Sequence, residues 1–383
     1  TKRIIEDMDT AVYPDKLVLP YIETVHDRVV LEVYRGCIRG CRFCQAGMTY
    51  RPIREKSPDV LCRQARCLYE NTGYDEISLI SLSISDYSRL DELTDGLLSW
   101  TDDARVSISL PSLRVDSFTE ELMNKISTVR TGGLTFAPEA GTQRLRYAIN
   151  KNVDEEDLLR AVNIAFSAGK SAVKRYFMLG LPTDTNEDLC GIADLADKVV
   201  SAFYHNPKRN RAKGITVTTS VACFIPKPFT PFQWEAQDPI EVLEEKQKYL
   251  GEQITNRRVR YHYHDARVSH IEAVFARGDR RLAPALELAC REGVMFDAWE
   301  EYFSYDKWMD LFARTGIDPA FYANRRFGTD EILPWDLIDC GVTKSYLLRE
   351  REKAYQNITT PSCAEHCNGC GANCLGGKNR WCK

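Results

Sequence analysis

Short apolar runs alternate with amphipathic stretches along the first two thirds of the chain. RVVLEVY (28–34) has the character of a buried strand. After it come Ser57 as N-cap, Pro58 in the first helical position, Leu61, Ala65 and Leu68 on one face, and Gly73 as a stop, which together predict a helix. EISLISLSIS (76–85) reads as strand and SRLDELTDGLLSW (88–100) as helix, with Leu90, Leu93 and Leu97 aligned. RVSISL (105–110) is the next strand and SFTEELMNKI (117–126) the next helix, with Phe118, Leu122 and Ile126 aligned. GGLTFAP (132–138) precedes a helix over DEEDLLRAVNIAFSAG that stops at Gly169. SAVKRYFMLG (171–180) leads into a helix near 186–201, and GITVTTSVACF (214–224) into one near 239–254.

Six βα units in a row predict an α/β fold in which helices cover a parallel sheet. Six are too few for a closed eight-fold barrel, and no glycine-rich dinucleotide fingerprint follows the first strand. An open doubly wound sheet and a partial (β/α)6 TIM-like barrel both fit, and both gather ligands at the carboxyl ends of the strands. The pattern divides the chain into a lead-in (1–27), the core (28–256), a mainly helical C-terminal extension (257–357) and a cysteine-rich metal-binding tail (358–383). RVRYHYH (258–264) offers one more strand at the start of the extension.

Composition narrows the class. Hydrophobic residues make up 44%, charged residues 28%, and the formal net charge is only -4, so neither a membrane span nor a generally basic surface is expected. The opening TKRIIEDMDTA mixes charges and lacks a secretory apolar core, which predicts a cytoplasmic location. A start at Thr1 is what a piece of a longer protein would show. Fourteen cysteines in a reducing compartment point to metal sites rather than disulfides.

Three of them lie in YRGCIRGCRFCQAG (34–47), at Cys37, Cys41 and Cys44. Structural zinc takes four protein ligands, whereas three cysteines on a four-iron cluster leave one iron open to a small molecule. C-x3-C-x2-C, with Phe43 just before the last cysteine, resembles the signature of the radical S-adenosylmethionine (SAM) superfamily. The resemblance implies a 4Fe-4S cluster on these cysteines, SAM on its open iron, Phe43 near the adenine, and a reductant such as flavodoxin or ferredoxin. The alternative from the residues alone is a zinc site completed by a distant ligand.

Other segments resemble the rest of that family's cofactor site. Ser83, Ser85 and Asp86 in SLSISDYS stand where the family commonly has a glycine-rich turn. FAPEAGTQRLR resembles the strand-four motif of the branch holding the tRNA-modifying elongator subunit and the cobalamin-associated enzymes, which implies Glu139 at the ribose or methionine. VKRYFMLGLPTDT resembles the strand-five segment that receives adenine, which implies Gly180 and Pro182 there and Lys174 on the methionine carboxylate. CFIPKPFTPFQW resembles the strand-six ending of the same branch. Residues 20–350 resemble an uncharacterised family of radical SAM proteins often preceded by a cobalamin-binding-like domain. That implies such a domain upstream; this chain has no D-x-H-x-x-G, so cobalamin binding by the chain alone is not expected.

The tail, CAEHCNGCGANC, sets Cys363, Cys367, Cys370 and Cys374 among small residues, in a run closer to ferredoxin ligand loops than to zinc ribbons. A second 4Fe-4S cluster is expected, with zinc as the alternative and His366 and Cys382 as spare ligands. Cys340, in DLIDCGVTKSY, is a candidate catalytic thiol or extra ligand; a buried structural cysteine is the plainer alternative. NPKRNRAKG (206–214) and NRRVRYHYH (256–264) set basic residues beside aromatics, a pattern suited to phosphate contact and base stacking, with a solvated charged surface as the plainer alternative. RNA or a ribosomal component is therefore the favoured large substrate, with sulfur insertion or methylthiolation as one outcome. A cobalamin-assisted methyltransferase and a non-enzymatic metal-cluster docking protein are the two other readings.

Overall fold

The computed structural model describes residues 2–111, 114–116, 119–121 and 134–374. The strand β1 (Val29–Glu32) is followed by β2 (Tyr34–Arg35) and β3 (Arg54–Glu55), which form a short antiparallel ribbon around the first cysteine run. Then come β4 (Glu76–Ile80), β5 (Ser107–Ser109), β6 (Leu134–Glu139), β7 (Ala172–Leu179), β8 (Thr216–Cys223) and β9 (Val259–Tyr263). Every described pairing outside the ribbon is parallel, in the orders β1-β4-β5 and β6-β7-β8-β9. The six expected strands are all present, and β9 makes a seventh that pairs with β8 along its full length. The sheet therefore continues past the expected core boundary at 256.

Local signals account for the helices. Ser57 accepts from the Val60 N–H at 3.4 Å, Pro58 opens the helix Pro58–Thr72, and Gly73 closes it with a left-handed φ of 71°. The helices Leu90–Ala104, Glu155–Ser167, Asn186–His205 and Ile240–Gln253 follow their strands as expected. A short helix, Gln143–Ala148, is additional. Apart from residues 119–121, the expected helix at 117–126 lies outside the described residues, as do the first residues of the strand at 132–138 and Cys382.

Strand alternation sets the layers. In β8, Val217, Thr219, Val221 and Cys223 are buried against the helices, while Thr216, Thr218, Ser220 and Ala222 lie on the other face. One apolar cluster fills the space between β6–β9 and their helices, and a second fills that between β1, β4, β5 and theirs. In the extension, four helices, Ala266–Ala276, Ala283–Arg291, Tyr305–Arg314 and Pro319–Ala323, share a third cluster around Trp308 and Phe312. The tail packs inward: Cys370 and Ala372 join Met48, Trp234 and Tyr346 in one apolar cluster. Among the described residues no helix is long and apolar enough to cross a membrane.

Candidate active site

The first cysteine run leaves β2 through Gly36, whose φ is 96° and where a Cβ would meet the Pro52 carbonyl at 2.7 Å, so only glycine fits. Arg42, fully buried, pins the middle of the run. It donates to the carbonyls of Ala148 at 2.8 Å and Ile358 at 2.7 Å and is ion-paired with Glu350 at 3.0 Å. Arg51 donates to the carbonyls of Gly47 at 3.0 Å and Arg39 at 2.8 Å, and to the Tyr346 hydroxyl at 3.2 Å. Two arginines thus spend their donors holding the backbone that carries the thiols.

Cys37, Cys41 and Cys44 line one cavity of about 380 Å³ at the carboxyl ends of the strands, together with Phe43, Ser83 and Glu139. The Arg39 N–H donates to the Cys37 sulfur at 3.4 Å, and the Gly47 N–H to the Cys44 sulfur at 3.3 Å, where Cys44 caps the helix Gln45–Thr49. Burial, then the neighbouring Cys41, pushes the Cys37 thiol up to about 12, and burial raises Cys44 as well. Lys151 offsets part of the desolvation at Cys44, but burial still outweighs it, so both thiols stay harder to ionise than a free cysteine. Metal binding supplies further positive charge.

Glu139 ends β6 at a break in register with β7, with a left-handed φ of 70°. A non-glycine residue held there is the kind of strain that collects at functional sites. Its partner is Lys151, 3.1 Å away and 12% exposed. Burial opposes the Lys151 charge, but Glu139 and Cys41 outweigh it and raise the pKa.

The other expected cofactor residues sit off the wall. Asp86 holds Arg39 in an ion pair and accepts from the Ser83 hydroxyl at 2.7 Å, so it acts behind the cavity rather than in it. Ser85 accepts from the Arg114 N–H at 3.1 Å. Gly180 donates its N–H to Asp184 at 2.7 Å in a turn fixed by Lys246, and neither it nor Pro182 lines the cavity. Lys174 is exposed and lies over the Tyr176 ring at 4.7 Å, because β7 alternation points it along the open face below the cavity.

Three cations that the sequence reading did not single out, Arg39, Arg114 and Lys151, reach the wall instead. Lys151 had one signal: it stands between Asn150 and Asn152, which take φ values of 54° and 44°. Asparagine is one of the few residues that visits this region routinely. The two asparagines also tie the site together, Asn150 donating to the Gly40 carbonyl at 3.1 Å and Asn152 to the Thr360 carbonyl at 3.0 Å.

The tail meets the back of the same loop. The Cys363 N–H donates to the Ile38 carbonyl at 2.9 Å, and the Thr343 N–H to the Cys370 carbonyl at 2.9 Å. Cys370 is buried and Cys374 exposed. Cys340 is buried beside a different cavity, of about 810 Å³, that Lys2, Arg35 and Arg54 also line. It is not brought to the first cysteine run.

Three thiols, three cations and one carboxylate on one cavity suit an iron-sulfur cluster with an amino acid bound beside it. Among the described residues no three His, Cys, Asp or Glu side chains lie close enough to grip a single metal ion.

Comparison with known proteins gives the same direction. The radical SAM superfamily matches residues 31–196. An uncharacterised protein of Methanocaldococcus jannaschii is 32% identical over 326 residues, covering 83% of this chain and 69% of the relative. A tRNA-2-methylthio-N(6)-dimethylallyladenosine synthase of Solibacter usitatus is 23% identical over 202 residues, covering 48% of this chain and 44% of that protein. Among solved structures, the radical SAM methyltransferase TsrM of Kitasatospora setae, with cobalamin and a 4Fe-4S cluster bound, aligns at 13% identity with a TM-score of 0.42. That alignment covers 57% of this chain and 39% of the other, so the chain spans less than half of either functionally described protein. The family match runs from β1 into the helix Asn186–His205 and takes in the whole first cysteine run, and with the 32% identical relative it shows that the chain belongs to the radical SAM superfamily, whose enzymes use a 4Fe-4S cluster and SAM.

Proposed function

We propose that Cys37, Cys41 and Cys44 hold the SAM-binding cluster and that the enzyme modifies RNA, with sulfur insertion or methylthiolation as the favoured outcome. The observation that carries the first half is the single cavity shared by the three thiols, Glu139 and Lys151. A 4Fe-4S cluster held there, once reduced by an external donor, would supply the electron for reductive cleavage of SAM to methionine and a 5'-deoxyadenosyl radical. The chain's own residues then have defined tasks. Lys151 and Arg39 offer positive charge to the methionine carboxylate, Glu139 accepts from the amino group or ribose, and Phe43 lies against the adenine. Arg42 and Arg51 hold the loop so that the thiols do not drift. A flavodoxin or ferredoxin is the proposed electron donor.

The likeness to the tRNA methylthio synthase supports RNA as substrate, as do the basic and aromatic residues of β9. Cys363, Cys367, Cys370 and Cys374 are proposed to hold a second 4Fe-4S cluster. The test is anaerobic reconstitution with iron and sulfide, followed by SAM cleavage under dithionite. About eight irons per chain, with deoxyadenosine formed by wild type and lost in Cys41→Ala, support both clusters. About four irons with one zinc remove the second cluster, and no cleavage by the fully loaded chain removes the SAM reading.

A further inference from the structure

The strand register assigns a second surface to this enzyme. Residues paired across a sheet project to the same face. Thr135 of β6 pairs with Lys174 of β7, Lys174 with Thr218 of β8, and Thr218 with Arg260 of β9. One step nearer the carboxyl ends, Tyr176 pairs with Ser220 and Ser220 with His262. The alternate residues of β7 and β8, such as Arg175, Phe177 and Thr219, are buried on the helix side. Both rows therefore lie on the opposite, inner face. Thr135 and Tyr176 also line the 380 Å³ cavity, so the rows begin at its wall and run outward to β9.

The chemistry of this face differs from that of the chain around it. Lys174, Arg260 and His262 are exposed, and among the described residues none of them is ion-paired with a carboxylate. Elsewhere the chain pairs its cations closely, as in Arg39 with Asp86 and Lys246 with Asp184. The formal net charge of -4 also rules out a generally basic surface as the source. Beside Lys174 stands the Tyr176 ring, 39% exposed at the cavity wall. Parity removes the β9 tyrosines from this surface: Tyr261 packs toward the helices and donates to the Gln247 carbonyl at 3.2 Å.

We infer that this inner face is the track on which a single-stranded RNA substrate lies, with Lys174 and Arg260 on its phosphates and Tyr176 stacking a base at the mouth of the SAM cavity. Two strand spacings, about 10 Å, separate the two cations, so they serve different phosphates of one strand. Stacking is tolerant of base identity, while the cations give affinity that falls with salt. This rests on the reading of RNA as substrate and gives it an address.

The test uses the reconstituted full chain and a fluorescein-labelled single-stranded RNA 12-mer, followed by anisotropy over a salt series. K174A/R260A is expected to bind at least about tenfold more weakly, with the slope of log affinity against log salt reduced by about 0.7 for each cation removed. Y176L weakens binding and Y176F does not, since only the ring is needed. The loop variant R209A/R211A serves as the surface control. Thermal midpoints and cluster absorbance equal to wild type establish that the exposed substitutions leave the fold intact. If wild type binds and K174A/R260A binds equally well, the track is wrong and RNA survives as substrate. Loss confined to R209A/R211A has the same meaning. If wild type itself does not bind the 12-mer, the RNA reading falls and takes this occupant with it.

Discussion

Two runs of this chain share the spacing C-x3-C-x2-C: Cys37, Cys41 and Cys44, and again Cys363, Cys367 and Cys370. Their surroundings differ. The first lies at the carboxyl ends of parallel strands, with Arg42 and Arg51 holding its backbone and Lys151 and Glu139 on the cavity it lines. Among the described residues no strand leads into the second. It docks on the outside of the first through the Cys363 N–H and a shared apolar cluster. Spacing alone therefore specifies what kind of group a run can hold; what happens at that group is decided by the charges and the cavity around it.

Exchanging the same position in each run breaks this comparison most directly. Cys41→Ala is expected to lower deoxyadenosine formation roughly a hundredfold or more, because losing a ligand exceeds the 10–100-fold typical of losing a group that only orients one. Cys367→Ala removes a comparable amount of iron and leaves SAM cleavage under dithionite within about threefold. Iron analysis beside product chromatography checks both, and equal losses of cleavage would mean that the two runs form one site.

The next largest effect is on stability. Arg42 and Glu350 are both buried and pair at 3.0 Å, so Arg42→Ala takes one of two cations from the carboxylate and leaves it Lys353 and Thr360. Breaking such a pair costs about 3–5 kcal/mol. Denaturant unfolding of the metal-free chain measures it, and a loss below about 1 kcal/mol would show that the loop is held by its other bonds.

Lys151→Ala comes third. It removes a charged partner from Glu139 and from the bound amino acid, an interaction of about 1.5–3 kcal/mol, so the KM for SAM is expected to rise about tenfold or more. Lys151→Arg should recover part of it. A KM unchanged in both variants would place the methionine carboxylate on Arg39 or Arg114 instead.

The order of strands and helices was legible because each strand's apolar run is bounded by recognisable stops and caps, such as Ser57, Pro58 and Gly73. The first cysteine run was legible because covalent spacing survives any fold. Lys151 was not, since its approach depends on two left-handed asparagines in a turn between helices, which no periodicity records. Lys174 was legible as a strand lysine but not its level on the strand, which only the register with β6 and β8 fixes. The basic and aromatic residues of β9 looked like one mixed surface. In a strand of period two they separate, Arg260 and His262 to the inner face and Tyr261 to the helices.

The smallest effect expected is an acid-side change in how firmly the two runs are joined. Burial works against the Glu350 carboxylate, but Lys353, Arg42 and Thr360 more than offset it and hold its pKa below the ordinary 4.5. A depressed carboxyl contributes stability that is fully present above its unfolded pKa and is lost as pH falls through the folded one. Wild type should therefore lose stability below about pH 4.5, with a slope from this one group of at most about 1.4 kcal/mol per pH unit. Glu350→Gln should start lower at neutral pH and follow a flatter acid limb, and the two curves should converge as the wild-type carboxyl protonates. Chemical unfolding of both proteins from pH 7 to pH 3 measures the difference. Parallel curves would mean that Glu350 is not the titrating link, and that the helix Lys344–Tyr355 is held to the first loop by the Arg42 carbonyl bonds and the apolar cluster around Tyr346.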